Sequence, residues 1–331
     1  MPIRGAPSYL LGATTVPGLT CAALRGEARQ PMKRIRTYSE LTETDRSDLL
    51  GQVTSQRERV TARLASVEHV VAVVSGKGGV GKSLVSAGLA AALAGSGRRV
   101  GLLDADLHGP TAARMLGVRA SGLAVRDNEV EPPVAACGVR VMSSDLLLEE
   151  TAPLSWREPG HERFVWRGTL VAGMLREFLA DVAWGTLDVL LVDMPPGSER
   201  LDTLAELVPG LAGAVVVTIP SDASYRAVRR AVEAARAARV PLLGVVENMA
   251  GYRCGSCRAD GPLFQGDAGE RLSRDAGAPL LARIPFDPAM QSLVDQGDVE
   301  GAAIALGPAA EALVGRLGPS GDPSGQQEPR A

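Results

Sequence analysis

The chain is poor in aromatic side chains: its 331 residues include only 3 Trp, 4 Tyr and 4 Phe. So few rings leave the core to aliphatic residues, and they offer no stacking platform of the kind that binds single-stranded nucleic acid. Basic charge is not in excess either, since 35 Lys and Arg face 38 Asp and Glu for a net charge of −3. A protein that coats nucleic acid through its phosphates carries the opposite balance, so nucleic acid is not an expected partner. No window approaches the roughly 20 uninterrupted apolar residues that a membrane span needs, and no membrane partner is expected. Four cysteines in a chain this long cannot build a disulfide scaffold, which makes the reducing cytoplasm the expected compartment.

What remains is an apolar fraction of 45%, enough for a large buried core. It is unevenly spread. Residues 1–66 hold ten basic and six acidic residues, with Pro and Gly concentrated before Met32. They are expected to form an N-terminal extension, disordered or partly helical, outside the core. The stretch Tyr9 to Leu19 lies behind Arg4, but Gly12 and Pro17 interrupt it, which makes it a poor secretion leader. Residues 318–331 are mostly Gly, Pro, Ser and Gln and read as a disordered tail.

Residues 67–317 alternate two kinds of signal. Short apolar runs bounded by Gly, Pro or Asp, at Val70–Val74, Val100–Leu103, Asp188–Val192, Ala214–Ile219 and Leu242–Val246, read as strands buried on both faces. Helical patterns at Ser83–Ala94, Gly168–Val182, Ala223–Ala238, Gly266–Ala276 and Ala302–Leu317 fall around and between them. The expected fold is α/β: a mostly parallel sheet flanked by helices on both faces, with its ligand at the carboxyl ends of the strands.

Directly after the first strand comes Gly76-Lys77-Gly78-Gly79-Val80-Gly81-Lys82-Ser83, which satisfies G-x-x-x-x-G-K-[ST] in a strand–loop–helix context. Glycines let backbone N–H groups turn toward phosphate oxygens, and the helix start adds unpaired N–H groups and partial positive charge. Lys82 is expected to bridge the β and γ phosphates and Ser83 to ligate Mg²⁺. The second strand ends in Asp104-Ala105-Asp106, placing carboxylates at the ligand edge. Asp106 is positioned to orient an attacking water and Asp104 to sit near Mg²⁺. A later strand ends in Asp193-Met194-Pro195-Pro196-Gly197. There Asp193 would hold Mg²⁺ through water and the Gly197 amide would face the γ phosphate. The guanine-reading sequence N-K-x-D is missing, which points to adenine and hence ATP.

Cys254-Gly255-Ser256-Cys257 is, by itself, a redox pair, half a zinc site or coincidence. Two thiolates cannot complete a tetrahedral site, and no other Cys or His lies near them in the sequence. Two copies of the chain would supply four thiolates, suited to Zn²⁺ or to a bridging [4Fe–4S] cluster. Cys137, flanked by Ala135-Ala136, reads as a small buried apolar residue. The arginines of helix 223–239 read as a solvated face, and His108 and His161 give no metal spacing.

Two resemblances sharpen this reading. With a second lysine, Lys77, the loop resembles the deviant Walker A loop of the MinD/ParA/nitrogenase-iron-protein superfamily. That resemblance implies an ATP-dependent homodimer in which Lys77 reaches the partner subunit's ATP, and it implies that Asn248 reads the adenine edge. The block from Glu247-Asn248-Met249 to Cys257 is similar to the E-N-M-S-x-x-x-C-x-x-C block of the Mrp/ApbC family of iron–sulfur P-loop ATPases. Asp104-Ala105-Asp106-Leu107-His108-Gly109-Pro110, Trp166-Arg167-Gly168, Trp184-Gly185-Thr186-Leu187-Asp188 and Ile284-Pro285-Phe286-Asp287-Pro288 follow that family in order.

The second resemblance implies a slow Mg²⁺-dependent ATPase that assembles a labile [4Fe–4S] cluster between subunits at Cys254 and Cys257. It implies a cluster donor and apo iron–sulfur proteins as partners. The chain departs from the family at Ser198-Glu199-Arg200, where Arg200 replaces a common acid. Two other classes share the loop. One is a positioning ATPase of the MinD or ParA kind, whose mark is a basic amphipathic C-terminal helix, and residues 302–317 hold only Arg316 as a base. The other is a zinc-stapled dimeric targeting ATPase.

The cysteine assignment makes a direct prediction. Replacing both Cys254 and Cys257 by Ala should abolish uptake of iron and sulfide while leaving nucleotide binding at the wild-type level. A double variant that still acquires about four iron atoms per dimer refutes the site.

Overall fold

The computed structural model describes residues 49–107, 109–119, 123–126, 129–147, 163–197 and 200–318. Expectations for residues 1–48, for the tail beyond 318, for His108 and His161 and for Ser198-Glu199 lie outside the described residues. In chain order the elements are α1 (Leu49–Leu64), β1 (Val67–Ser75), α2 (Lys82–Gly95), β2 (Val100–Asp104), α3 (Ala112–Met115), β3 (Ala124–Arg126), β4 (Glu129–Glu131) and β5 (Arg140–Ser143). They continue with α4 (Arg163–Asp181), β6 (Leu187–Asp193), α5 (Leu201–Leu207), β7 (Leu211–Thr218), α6 (Asp222–Ala237) and β8 (Leu242–Arg253). The last are β9 (Asp260–Gly261), α7 (Ala268–Ala276), β10 (Leu280–Phe286), α8 (Pro288–Asp295) and α9 (Glu300–Leu317).

The main sheet runs β10-β8-β7-β1-β6-β2-β5, every neighbour pair parallel, and β9 adds antiparallel to the far end of β8. This is the α/β architecture expected from the alternation of apolar runs and helical patterns. β1 holds the centre because Val70 to Val74 is apolar on both faces of the pleat. Val71 and Val73 enter one core with Leu89 and Leu93 of α2 and Leu306 and Leu313 of α9. Val70, Ala72 and Val74 enter the other, with Phe178 and Leu179 of α4, Leu204 of α5 and Val228 of α6. Among the described residues no helix is long and apolar enough to cross a membrane.

The structure departs from the expectations in three places. Residues 1–66 are not wholly outside the core: α1 buries Val60 and Leu64 against the second face, and its Arg63 pairs with Glu129. The period is helical, but charged residues around these two anchors hide it. Cys137 is exposed rather than buried. The bonds from Ala135 N to Val139 O and from Gly138 N to Ala135 O close a tight turn that turns it outward. Strands β5 and β10, at the two sheet edges, were not expected: β5 is only four residues long, and β10 contains Arg283 and Pro285.

The phosphate-loop helix α2 is held from behind by α9 at a glycine. A Cβ on Gly88 would lie 2.8 Å from Leu306 Cδ1 and 2.9 Å from Ala302 Cβ. Gly to Ala in a helix gains about 0.5–1 kcal/mol of propensity, whereas overpacking costs typically 1–3 kcal/mol. Gly88→Ala should therefore lower the thermal midpoint, and a midpoint at or above wild type would show that α9 yields at this contact.

Candidate functional site

The loop between β1 and α2 is shaped by contacts at both ends. At Gly76 a Cβ would lie 2.3 Å from the Ala227 carbonyl carbon, so the backbone of α6 admits no side chain there. Gly81 has φ +79°, and a Cβ on it would lie 2.1 Å from Asn248 Nδ2. That amide donates to Val80 O at 2.9 Å, clamping the loop to β8. Lys77 to Ser83, with Asp106, Asn248, Met249, Phe286, Asp287 and Met290, line one cavity of about 250 Å³. Lys77 is half-buried, and its ammonium has no ionic partner among the described residues.

Beneath the cavity the strand ends bring charges together. Asp104 and Asp193 are register partners on β2 and β6, and both are fully buried. Lys82 Nζ lies 2.5 Å from Asp193 Oδ1, which also accepts from Ser86 Oγ at 2.7 Å. Asp193 Oδ2 is buried without a hydrogen-bond partner among the described residues. An orphaned carboxylate oxygen at this depth, with the Ser83 hydroxyl at the cavity wall, is a donor set that fits a hydrated Mg²⁺.

Asp104 is committed to a different task. Its Oδ1 accepts from Asp106 N at 3.1 Å, and its Oδ2 accepts from Thr111 N at 2.9 Å, from Ala112 N at 3.0 Å and from Ser143 Oγ at 3.4 Å. It therefore shapes the segment that carries Asp106 and starts α3, rather than presenting an open oxygen. Burial raises its pKa to about 7, with Asp193 adding to the rise; the amides of Ala112 and Asp106, and then Lys82, oppose it. The Gly197 amide is a correction to the sequence reading: it donates to Ser75 O at 3.0 Å and does not face the cavity.

Cys254 and Cys257 sit at the tip of a hairpin. β8 continues beyond Asn248 through Met249, whose φ is +54°, and pairs Tyr252 with Gly261 and Arg253 with Asp260. Cys254 N donates to Ala259 O and Arg258 N to Cys254 O, both at 2.9 Å, so the loop is a closed knuckle. Hydrogen bonds from the Cys257 and Ser256 amides, and then from the Cys257 side chain, hold the Cys254 thiol below its ordinary pKa. N–H groups aimed at sulfur stabilise a thiolate, the form that ligates metal. Among the described residues no group of three or more His, Cys, Asp or Glu is arranged to hold a metal ion. Ser86 and the Arg258–Asp287 ion pair were not anticipated. The position of Ser86 four residues after Lys82 on an otherwise Ala- and Leu-rich helix was the available signal for the first.

Comparison with known proteins finds relatives that match most of the chain. The family model described as "ParA: NUBPL iron-transfer P-loop NTPase" matches residues 66–313. The iron-sulfur cluster carrier protein of Saccharolobus solfataricus is 40% identical over 249 residues, covering 75% of this chain and 81% of that one. The human cytosolic Fe-S cluster assembly factor NUBP2 is 39% identical over 239 residues, 71% of this chain and 85% of its own. A solved nucleotide-binding protein from Archaeoglobus fulgidus, in complex with ADP, is 36% identical with a TM-score of 0.62, covering 74% of this chain and 92% of that one.

The buried Asp104 carboxyl predicts a pH dependence. Its pKa in the folded chain lies above the ordinary 3.8, so between there and about 7 the folded protein holds a proton that the unfolded chain releases. Its stabilising contribution is full below that window and is lost as pH rises through it. Urea midpoints taken at about pH 5 and about pH 8 should fall for wild type more than for Asp104→Asn. Equal falls would show that Asp104 is ionised throughout.

Proposed function

The chain belongs to the ParA-type NUBPL iron-transfer P-loop NTPase family, and from that premise we propose that it binds and hydrolyses ATP as a homodimer while carrying a [4Fe–4S] cluster between subunits for delivery to apo-proteins. The observation that carries the reading is that one strand, β8, bears both halves of the chemistry. Its Asn248 clamps the phosphate loop, and six residues later its end opens into the Cys254–Cys257 knuckle.

The charges beneath the loop support a mechanism. Lys82 must leave Asp193 to reach a β or γ phosphate, which strips two neighbouring buried carboxylates of their cation. Mg²⁺ on Ser83 and, through water, on Asp193 would supply that charge and polarise the phosphates. Asp106, in the cavity wall, orients a water toward the γ phosphorus and accepts its proton as the bond to the β-phosphate oxygen breaks. Lys77 of the partner subunit neutralises charge on the γ phosphate, so hydrolysis depends on dimer closure. Asn248 has one amide N–H committed to Val80 O, and the other polar positions of its side chain are available to the adenine edge.

The cluster is cargo. Each copy contributes two thiolates, and Cys254 is already biased toward the ligating form. A cytosolic location follows the named relative, the human cytosolic Fe-S cluster assembly factor. Zn²⁺ would find the same knuckle suitable, so metal content decides between a carrier and a zinc-stapled dimer.

The experiment combines reconstitution with one catalytic variant. Wild type and Asp106→Asn are loaded anaerobically with Fe²⁺ and sulfide, and iron, sulfide and zinc are counted. ATP hydrolysis and cluster transfer to an apo-ferredoxin are then followed. Asp106→Asn should retain cluster and nucleotide while hydrolysis falls about 100-fold or more. Stoichiometric zinc without iron, or unchanged hydrolysis in the variant, overturns the corresponding half of the reading.

A further inference from the structure

The cysteine knuckle leans on the wall of the nucleotide cavity. Arg258, the residue after Cys257, places Nη1 3.0 Å from Asp287 Oδ2, and Asp287 is buried. The other carboxylate oxygen, Oδ1, accepts from Ala289 N at 3.0 Å and so caps α8. Asp287 lines the cavity together with Phe286, Met290 and Gln291. On the other side of the same turn the Tyr252 ring stacks on Phe286, with centroids 6.4 Å apart and planes 21° from parallel. The turn between β10 and α8 therefore touches nucleotide space on one side and the base of the cysteine hairpin on the other.

The backbone of β8 is bulged between these contacts. Asn248 pairs with Ile284 and Tyr252 with Phe286, so β8 takes four steps where β10 takes two. The surplus includes Met249, in the left-handed region. A bulge of this kind re-aims the strand beyond it.

We propose that Arg258 and Asp287 form a latch that makes the reactivity of the two cysteines depend on nucleotide occupancy, with Arg258 as a positioning residue for cluster transfer. A nucleotide that shifts Asp287 and the start of α8 moves Arg258, and with it Cys257. As a device for cargo release the latch rests on the reading of Cys254 and Cys257 as cargo thiolates. The linkage itself does not require metal.

The test uses the full-length, metal-free, reduced protein. Alkylation of Cys254 and Cys257 by iodoacetamide is timed by mass spectrometry with and without MgADP, for wild type, Arg258→Gln and Arg258→Lys. Binding of a fluorescent ADP analogue verifies that each variant is folded. In wild type the nucleotide should change the alkylation rate about fivefold. In Arg258→Gln the two rates should coincide, and Arg258→Lys should restore part of the difference. Loss of the arginine's charge alone would shift both rates together and leave their ratio intact. That outcome overturns the proposal, as does a wild-type rate indifferent to nucleotide.

If Arg258→Gln fails to bind the analogue, Asp287→Asn tests the latch from the other side, because Asn keeps an oxygen for the α8 cap and removes the charge. A preserved ratio in Asp287→Asn is equally fatal. Iron uptake is measured in parallel. A nucleotide-dependent ratio in a chain that takes up no iron supports the latch and overturns the cargo reading alone.

Discussion

Two carboxylates that meet in register under a single ammonium set the terms for the rest of this molecule. Asp104 and Asp193 are fully buried on adjacent strands, and Lys82 reaches only the second of them. Burying like charges this closely is costly unless protons or cations offset it. The fold answers with backbone amides on Asp104, the Ser86 hydroxyl on Asp193 and a raised pKa on Asp104. A site so arranged suits a ligand that brings a divalent cation and draws the lysine away, which is what a magnesium–polyphosphate complex does. The charge pattern thus explains why the loop, the aspartates and the helix behind them form one unit.

β8 is the second organising element. It lies between β7 and β10, deep enough for Glu247 to be fully buried, and that carboxylate accepts from Gly269 N and pairs with Arg283. Those bonds fix the strand just before Asn248, while the bulge after it frees the hairpin. The strand is held by Glu247 and Asn248 where it grips the phosphate loop, and it is re-aimed by the bulge where it carries the thiols.

Much of this was legible from local pattern. The five strands read as apolar runs are those buried on both faces, where every side chain must be hydrophobic. The phosphate loop was legible because its chemistry depends on contiguous backbone. The edge strands β5 and β10 escaped because an edge position tolerates brevity, Arg and Pro. The expected partial helix is α1, but its seat on the core escaped because only two anchors, Val60 and Leu64, are buried. In the site, residue types were readable but partners were not. Nothing near Asn248 in sequence says that its amide is spent on Val80, and nothing near Gly197 says that Ser75 takes its N–H. Arg258 and Asp287 lie 29 positions apart, and no local pattern pairs them; the fold does.

The central place of β1 has a cost during synthesis. Its neighbours are β6 and β7, and the loop that follows it is clamped by an asparagine 168 residues further on. At about 5–20 residues per second, a ribosome needs roughly ten to thirty seconds to make the intervening chain. For the first part of that interval, until Leu187 and the rest of β6 have been made, the central strand of the sheet has emerged without either permanent neighbour. The phosphate loop therefore gains its clamp only after Asn248 has been made, long after the loop itself.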